Sequence, residues 1–218
     1  MCHLVKGLYG LKQAGHGWYQ EMSQVPVKDL GFTHSTVNHS VFFQRLSDEH
    51  TIITVATDDM VVTSKQAEDI TRFKADIQHY WEITDNRPIR WFLGFQISHN
   101  RTAQTISINQ SMYIQAMVDK FRLTNSAPVA TPMVTGATFS TSDSPSTPTQ
   151  VAHMHGIPYT EAIDSILWPV VVSQPDAAFA VSTLLQFIQN PRPAHWEALK
   201  RVIVFLGSMK DLWLTFSG

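Results

Sequence analysis

Thr51-Ile52-Ile53-Thr54-Val55-Ala56-Thr57-Asp58-Asp59-Met60-Val61-Val62-Thr63 is the stretch that decides the fold. Two runs rich in Ile, Val and Thr, residues that suit a pleated and half-buried surface, flank an Asp-Asp pair. Residues 51–57 and 60–63 are therefore predicted to form an antiparallel hairpin with both carboxylates at its tight connection. Two adjacent negative charges repel unless a cation or hydrogen-bond donors offset the cost, and Mg2+ is the hard cation that carboxylate oxygens suit. On spacing alone the pair reads first as a polar turn, because aspartate is common in turns. The rest of the chain has to carry a catalytic reading.

Working outward, apolar residues recur upstream at Leu11, Ala14, Trp18, Met22 and Val25, the intervals of one helix face. Gly10, Gly15 and Gly17 weaken that helix and Pro26 should end or kink it. Gly31 marks a turn, and residues 40–45 read as a short strand. Downstream, Ser64 is placed to cap a helix with Glu68 and Asp69 in its first turn and Ile70, Phe73 and Ile77 on one face. Residues 91–97 and 104–109 read as two strands, the second with Ile106 and Ile108 inward. Tyr113, Met117 and Phe121 space a further helix, after which Ser, Thr and Pro dominate residues 124–150, an extended connector. Pro158 to Val172, Pro175 to Gln189 and Pro193 to Leu206 read as three helices with proline near each start, although Pro169 conflicts with the first. In the last, Trp196, Leu199, Ile203 and Leu206 form the buried stripe, and Glu197, Lys200, Arg201 and Lys210 a solvated face. The fold class is α+β, an antiparallel sheet with packed helices followed by a helical region.

With 218 residues, 44% of them hydrophobic and 16% charged, the chain can bury a sizeable core and is not disordered throughout. A net charge of -2 argues against broad electrostatic binding of phosphates, so any such contact is local. Cys2 is the sole cysteine and excludes an intrachain disulfide. There is no apolar signal core, and no run approaches the roughly 18 continuous apolar residues of a membrane span. The expected location is intracellular, cytoplasmic or nuclear, with no membrane partner. His153 and His155 lack a third ligand at a zinc-site interval, and no Walker-type glycine loop or internal repeat is present.

Leu8-Tyr9-Gly10-Leu11-Lys12-Gln13-Ala14, then Trp18-Tyr19, Leu30-Gly31-Phe32 and Asp58-Asp59-Met60 form an ordered series. It continues with Phe92-Leu93-Gly94-Phe95-Gln96-Ile97, Thr131-Pro132-Met133, Pro158-Tyr159-Thr160-Glu161-Ala162, Pro175-Asp176 and the run from Pro191 to Arg201. In order and spacing this series resembles the reverse transcriptase of copia-type LTR retrotransposons, nearly end to end. The resemblance implies a partial polymerase palm over 1–108, a thumb helix over 109–123, the connector over 124–150, and a helical connection region over 151–218. That region would lead towards a ribonuclease H domain whose first strand starts near Leu212 to Phe216. It implies RNA-directed DNA polymerase chemistry, two-metal phosphoryl transfer on an RNA template and DNA primer, with Mg2+ as cofactor. Asp58 and Asp59 would be the catalytic, metal-holding pair, Asp58 the more direct ligand. Gln13 would lie under the incoming nucleotide with Lys12 nearby, and residues 91–109 would resemble the element that holds the primer end. Other Pol segments would be partners in a longer product.

Departures from the family pattern bear on activity. The family's third carboxylate and its fingers lie upstream of the block at Leu8, where this sequence has few residues. Ala56 stands where an aromatic residue is usual, Thr57 where a hydrophobic one is, Gly15-His16-Gly17 in place of a Pro-Arg-Ala-like segment, and Gln174 in place of an arginine. The expectation is a retrotransposon remnant, inactive alone. The alternatives are a non-catalytic nucleic-acid-binding or assembly remnant, which salt-dependent nucleic-acid binding would distinguish, and a chain with no function.

Overall fold

A computed structural model of the chain describes residues 10–46, 49–86, 88–140 and 147–218. Cys2, Leu8 and Tyr9, and also Asp48, lie outside those residues, as does the side chain of His153. The chain divides into two compact units, Met1–Ile89 and Arg90–Gly218. It is α+β throughout, with antiparallel sheets and helices in each unit.

In the first unit, α1 (Ala14–Gln24) runs into a π-helical turn at Val25–Asp29, where Pro26 interrupts the regular ladder. Strands β1 (Thr33–His34), β2 (Val41–Leu46), β3 (Glu49–Ala56) and β4 (Asp59–Thr63) then form an antiparallel sheet in that order, followed by α2 (Ala67–Ile77). Alternation along the strands sends Phe42, Ile53 and Val55 inward against Met22, Val25, Phe32, Phe73 and Ile77. Each large apolar side chain so buried contributes about 1.5–3 kcal/mol. The face of α2 is the one read from sequence, but its start differs: Gln66, not Ser64, is the N-cap. Ser64 Oγ still accepts the Gln66 N–H at 3.4 Å and donates to Asp69 at 3.2 Å, tying the entry to the first turn.

The second unit opens with β5 (Trp91–Phe92), β6 (Phe95–Asn100) and β7 (Thr105–Asn109). Where one strand was expected over 91–97 there are two. Leu93 and Gly94, with φ of 48° and 82°, turn the chain back on itself in the manner of a two-residue type I′ hairpin. Next come α3 (Ser111–Lys120), α4 (Pro148–His155), α5 (Tyr159–Val172), a 3-10 turn at Pro175–Ala177, α6 (Ala178–Leu185), α7 (Pro193–Met209) and β8 (Leu214–Ser217). The order in the sheet is β5-β6-β7-β8, so β8 pairs with β7 of this same unit, Ile108 opposite Leu214. Ile106 is exposed, not inward; it stands opposite Phe216 on the outer face. Residues 90–108, which the resemblance assigns to the palm, fall in this second unit.

Ile114, Met117, Tyr159, Ile163, Ile166, Leu184, Leu199, Ile203 and Leu206 join α3, α5, α6 and α7 in one core. At Gly207 a Cβ would lie 2.9 Å from Val118 Cγ2, so glycine lets α7 approach α3 this closely. Pro169 is accommodated inside α5. Up to Ser140 the described part of the Ser/Thr/Pro-rich run carries neither helix nor strand, yet Val129, Met133 and Phe139 pack on the core. The charged face of α7 is bonded within the chain: Lys200 to Glu197 at 2.8 Å, Lys210 to Asp211 at 3.2 Å, and Arg201 to the carbonyl and hydroxyl of Thr131 at 3.1 and 3.0 Å.

Candidate active site: the aspartate hairpin

The register of β3 and β4 sets Val55 opposite Met60 and Ala56 opposite Asp59. Thr57 and Asp58 are thus the two turn residues, and Asp59 is the first residue of β4; both aspartates are exposed. Thr57 has φ of 53°, a left-handed conformation that costs a β-branched residue on the order of 1–2 kcal/mol. Nothing in the sequence signals this, because Gly, Asn or Asp is the usual choice there.

Met60 and Val62 pack towards the core of the unit, so alternation puts Asp59 on the opposite face with Val61. On that face stand Ile52 and its cross-strand partner Phe43, 39% and 40% exposed, and Ala56 adjoins Asp59. Asp59 therefore ends a largely apolar, accessible sheet surface. A cavity of about 80 Å³ in this unit is lined by Leu30, Gln44, Thr51, Asp69, Arg72 and Asp76 among others, and does not involve the hairpin turn.

Helix α1 holds the turn from the other side. Trp18 Nε1 donates to the Thr57 carbonyl at 2.8 Å, and the indole packs edge-on to Trp81 with ring centroids 5.6 Å apart. The next residue, Tyr19, donates its hydroxyl to the His39 carbonyl at 3.0 Å, beside Ser40, whose carbonyl accepts the Val55 N–H. Trp18 is legible in the sequence as part of a helix face and of the Trp18-Tyr19 pair, neither of which signals this contact. Gln13 is the N-cap of α1, its carbonyl accepting the Gly17 N–H at 3.0 Å, and Lys12 precedes it; both are exposed. The structure thus brings Asp58 and Asp59 together at one turn, and puts Lys12 and Gln13 at the start of the helix whose Trp18 reaches that turn.

The donor set suits a hard divalent cation, since both side chains offer carboxylate oxygens. Among the described residues no group of three or more His, Cys, Asp or Glu stands together as a metal cage. At Gln174, where the family pattern has an arginine, the side chain is buried and donates to the Met209 carbonyl at 3.1 Å.

The family model for reverse transcriptase (RNA-dependent DNA polymerase) matches residues 1–135, which include α1 and the whole hairpin. The chain belongs to the reverse transcriptase family. It is 31% identical over 219 aligned positions to the retrovirus-related Pol polyprotein of transposon TNT 1-94 from Nicotiana tabacum, covering 100% of this chain and 16% of that one. It is 26% identical to the Pol polyprotein of transposon RE2 from Arabidopsis thaliana, over 97% of this chain and 14% of the relative. The putative transposon Ty5-1 protein of Saccharomyces cerevisiae is 26% identical over 98% of this chain and 67% of its own length. This reverse transcriptase region thus spans about a sixth of the tobacco polyprotein. No solved structure matches the chain. Among the described residues no helix is long and apolar enough to cross a membrane.

Proposed function

We propose that this chain is the hairpin-bearing part of a copia-type reverse transcriptase palm, followed by thumb and connection elements. In this reading Asp58 and Asp59 are the divalent-cation ligands of a site for template-directed nucleotidyl transfer. The observation that carries the reading is the two-residue turn that presents both carboxylates at an exposed hairpin end, inside the stretch matched by the family. Asp58 and Asp59 would hold Mg2+, which when bound would supply activation of a primer 3′ hydroxyl and neutralisation of phosphoryl charge. The chain's own contribution is placement: the turn fixes the two carboxylates, and the open face along Ile52 and Phe43 leaves room beside Asp59 for an extended polymer. Lys12 and Gln13 at the exposed start of α1 are the candidates for contact with the incoming nucleotide.

Two carboxylates on one turn leave a two-metal site short of ligands, because Mg2+ keeps several waters and dehydrates reluctantly. The chain by itself therefore binds Mg2+ in the millimolar range or weaker and does not polymerise. An NMR titration with Mg2+ tests the ligand assignment. Weak, saturable shifts at Asp58 and Asp59 that Asp58→Asn removes are expected; shifts unaffected by Asp58→Asn, or micromolar affinity, would overturn it.

A further inference from the structure

We propose that Trp18 is a positioning residue for the aspartate turn, setting the peptide plane between Thr57 and Asp58 and with it the direction of the Asp58 carboxylate. The inference deepens the proposed function, since it rests on Asp58 and Asp59 being cation ligands. Three observations carry it. Thr57 holds φ of 53° without being Gly, Asn or Asp, so the turn is held by something outside its own preferences. The Thr57 carbonyl, the one polar group of that residue whose orientation is rigidly coupled to the Asp58 N–H across the planar peptide, accepts the Trp18 indole N–H at 2.8 Å. The indole is itself held, on one side by its place in α1 and on the other by the edge-on contact with Trp81, whose backbone N–H is bonded to Ile77 of α2 at 3.1 Å. The line from α2 through Trp81 and Trp18 to Thr57 therefore ends at the residue before the first aspartate. It is an orienting contact one shell out from the ligand, of the kind that fixes ligand geometry at metal sites.

Tyr19, one residue along the same helix, supplies the internal control: its hydroxyl holds the His39 carbonyl, not the aspartate turn.

The test uses the full chain labelled with 15N and Mn2+ as the probe. Three variants are compared with wild type: Trp18→Phe, replacement of Trp18 by 3-benzothienylalanine, which keeps the bicyclic ring and removes the N–H, and Tyr19→Phe. Loss of the indole N–H is expected to shift and exchange-broaden the amide signals of Thr57, Asp58 and Asp59. Mn2+ affinity, read from paramagnetic broadening at the turn, should fall about tenfold, the lower end of what removal of an orienting partner costs. Tyr19→Phe is expected to move signals near His39 and Ser40 and leave Mn2+ affinity as in wild type. If Trp18→Phe unfolds the first unit, the benzothienyl variant decides. Turn amides unchanged in a folded variant lacking the N–H would overturn the inference. Wild-type protein with no Mn2+ broadening at the turn would overturn the cation reading alone, and the amide signals would still judge Trp18.

Discussion

The Tyr113 hydroxyl donates to the Ser165 carbonyl at 2.9 Å, and that carbonyl is the one that Pro169, lacking an N–H, cannot serve in α5. The partner of the interrupted ladder thus comes from α3, 52 residues earlier in the chain. Tyr113→Phe should lower the stability of the second unit by about 1 kcal/mol, because the carbonyl loses its donor. In a Pro169→Ala background, where residue 169 regains an N–H, the same change should cost less. Denaturant unfolding of the four proteins in a double-mutant cycle checks this; equal costs in both backgrounds would refute the assignment.

Helix α1 carries Gly15 and Gly17, and a Cβ built at either meets nothing within 4 Å. The space is open, so their only effect is conformational. Gly15→Ala and Gly17→Ala should each stabilise the first unit by about 1 kcal/mol, the difference in helix propensity. Thermal or urea unfolding that shows either change to be destabilising would contradict the open space at these positions.

Tyr159 is buried, and its hydroxyl donates to the Leu184 carbonyl at 2.8 Å. Burial pushes its phenol well above the ordinary value. The protonated form is thus favoured by folding, and the contribution is complete below the unfolded phenol's pKa of about 10 and is lost as pH rises beyond it. Stability measured from pH 8 to 11 should fall more steeply for wild type than for Tyr159→Phe. Parallel curves would contradict the placement of this ring.

The hairpin, the Phe73 and Ile77 face of α2 and the three C-terminal helices were legible in the sequence because their periodicity is strong and agrees with their burial. Other features depended on partners far away in the chain. Residues 212–216 read as a strand with no partner indicated, and Asn109 Nδ2 donates to the carbonyls of Lys210 at 2.8 Å and Leu212 at 2.7 Å and stitches that end to β7. His195 is fully buried, its ring stacked on Phe187 with centroids 4.0 Å apart, although a histidine in a first helical turn reads as a surface residue. At the candidate site the pair Asp58-Asp59 was visible, but the left-handed Thr57 and its bond to Trp18 were not. A threonine gives no sign that it will occupy that conformation, and the donor lies 39 residues away.

Primer extension tests the central claim, that this hairpin carries a two-carboxylate polymerase site insufficient by itself. Purified full chain is given a primed RNA template, the four deoxynucleotides and Mg2+ or Mn2+, with Asp58→Ala as the control for contaminating polymerase. Positioning and charge stabilisation supply nearly all of the catalysis of phosphoryl transfer, so a site with two exposed carboxylates should give incorporation indistinguishable from that control. Extension by the wild-type chain that Asp58→Ala abolishes would contradict the account.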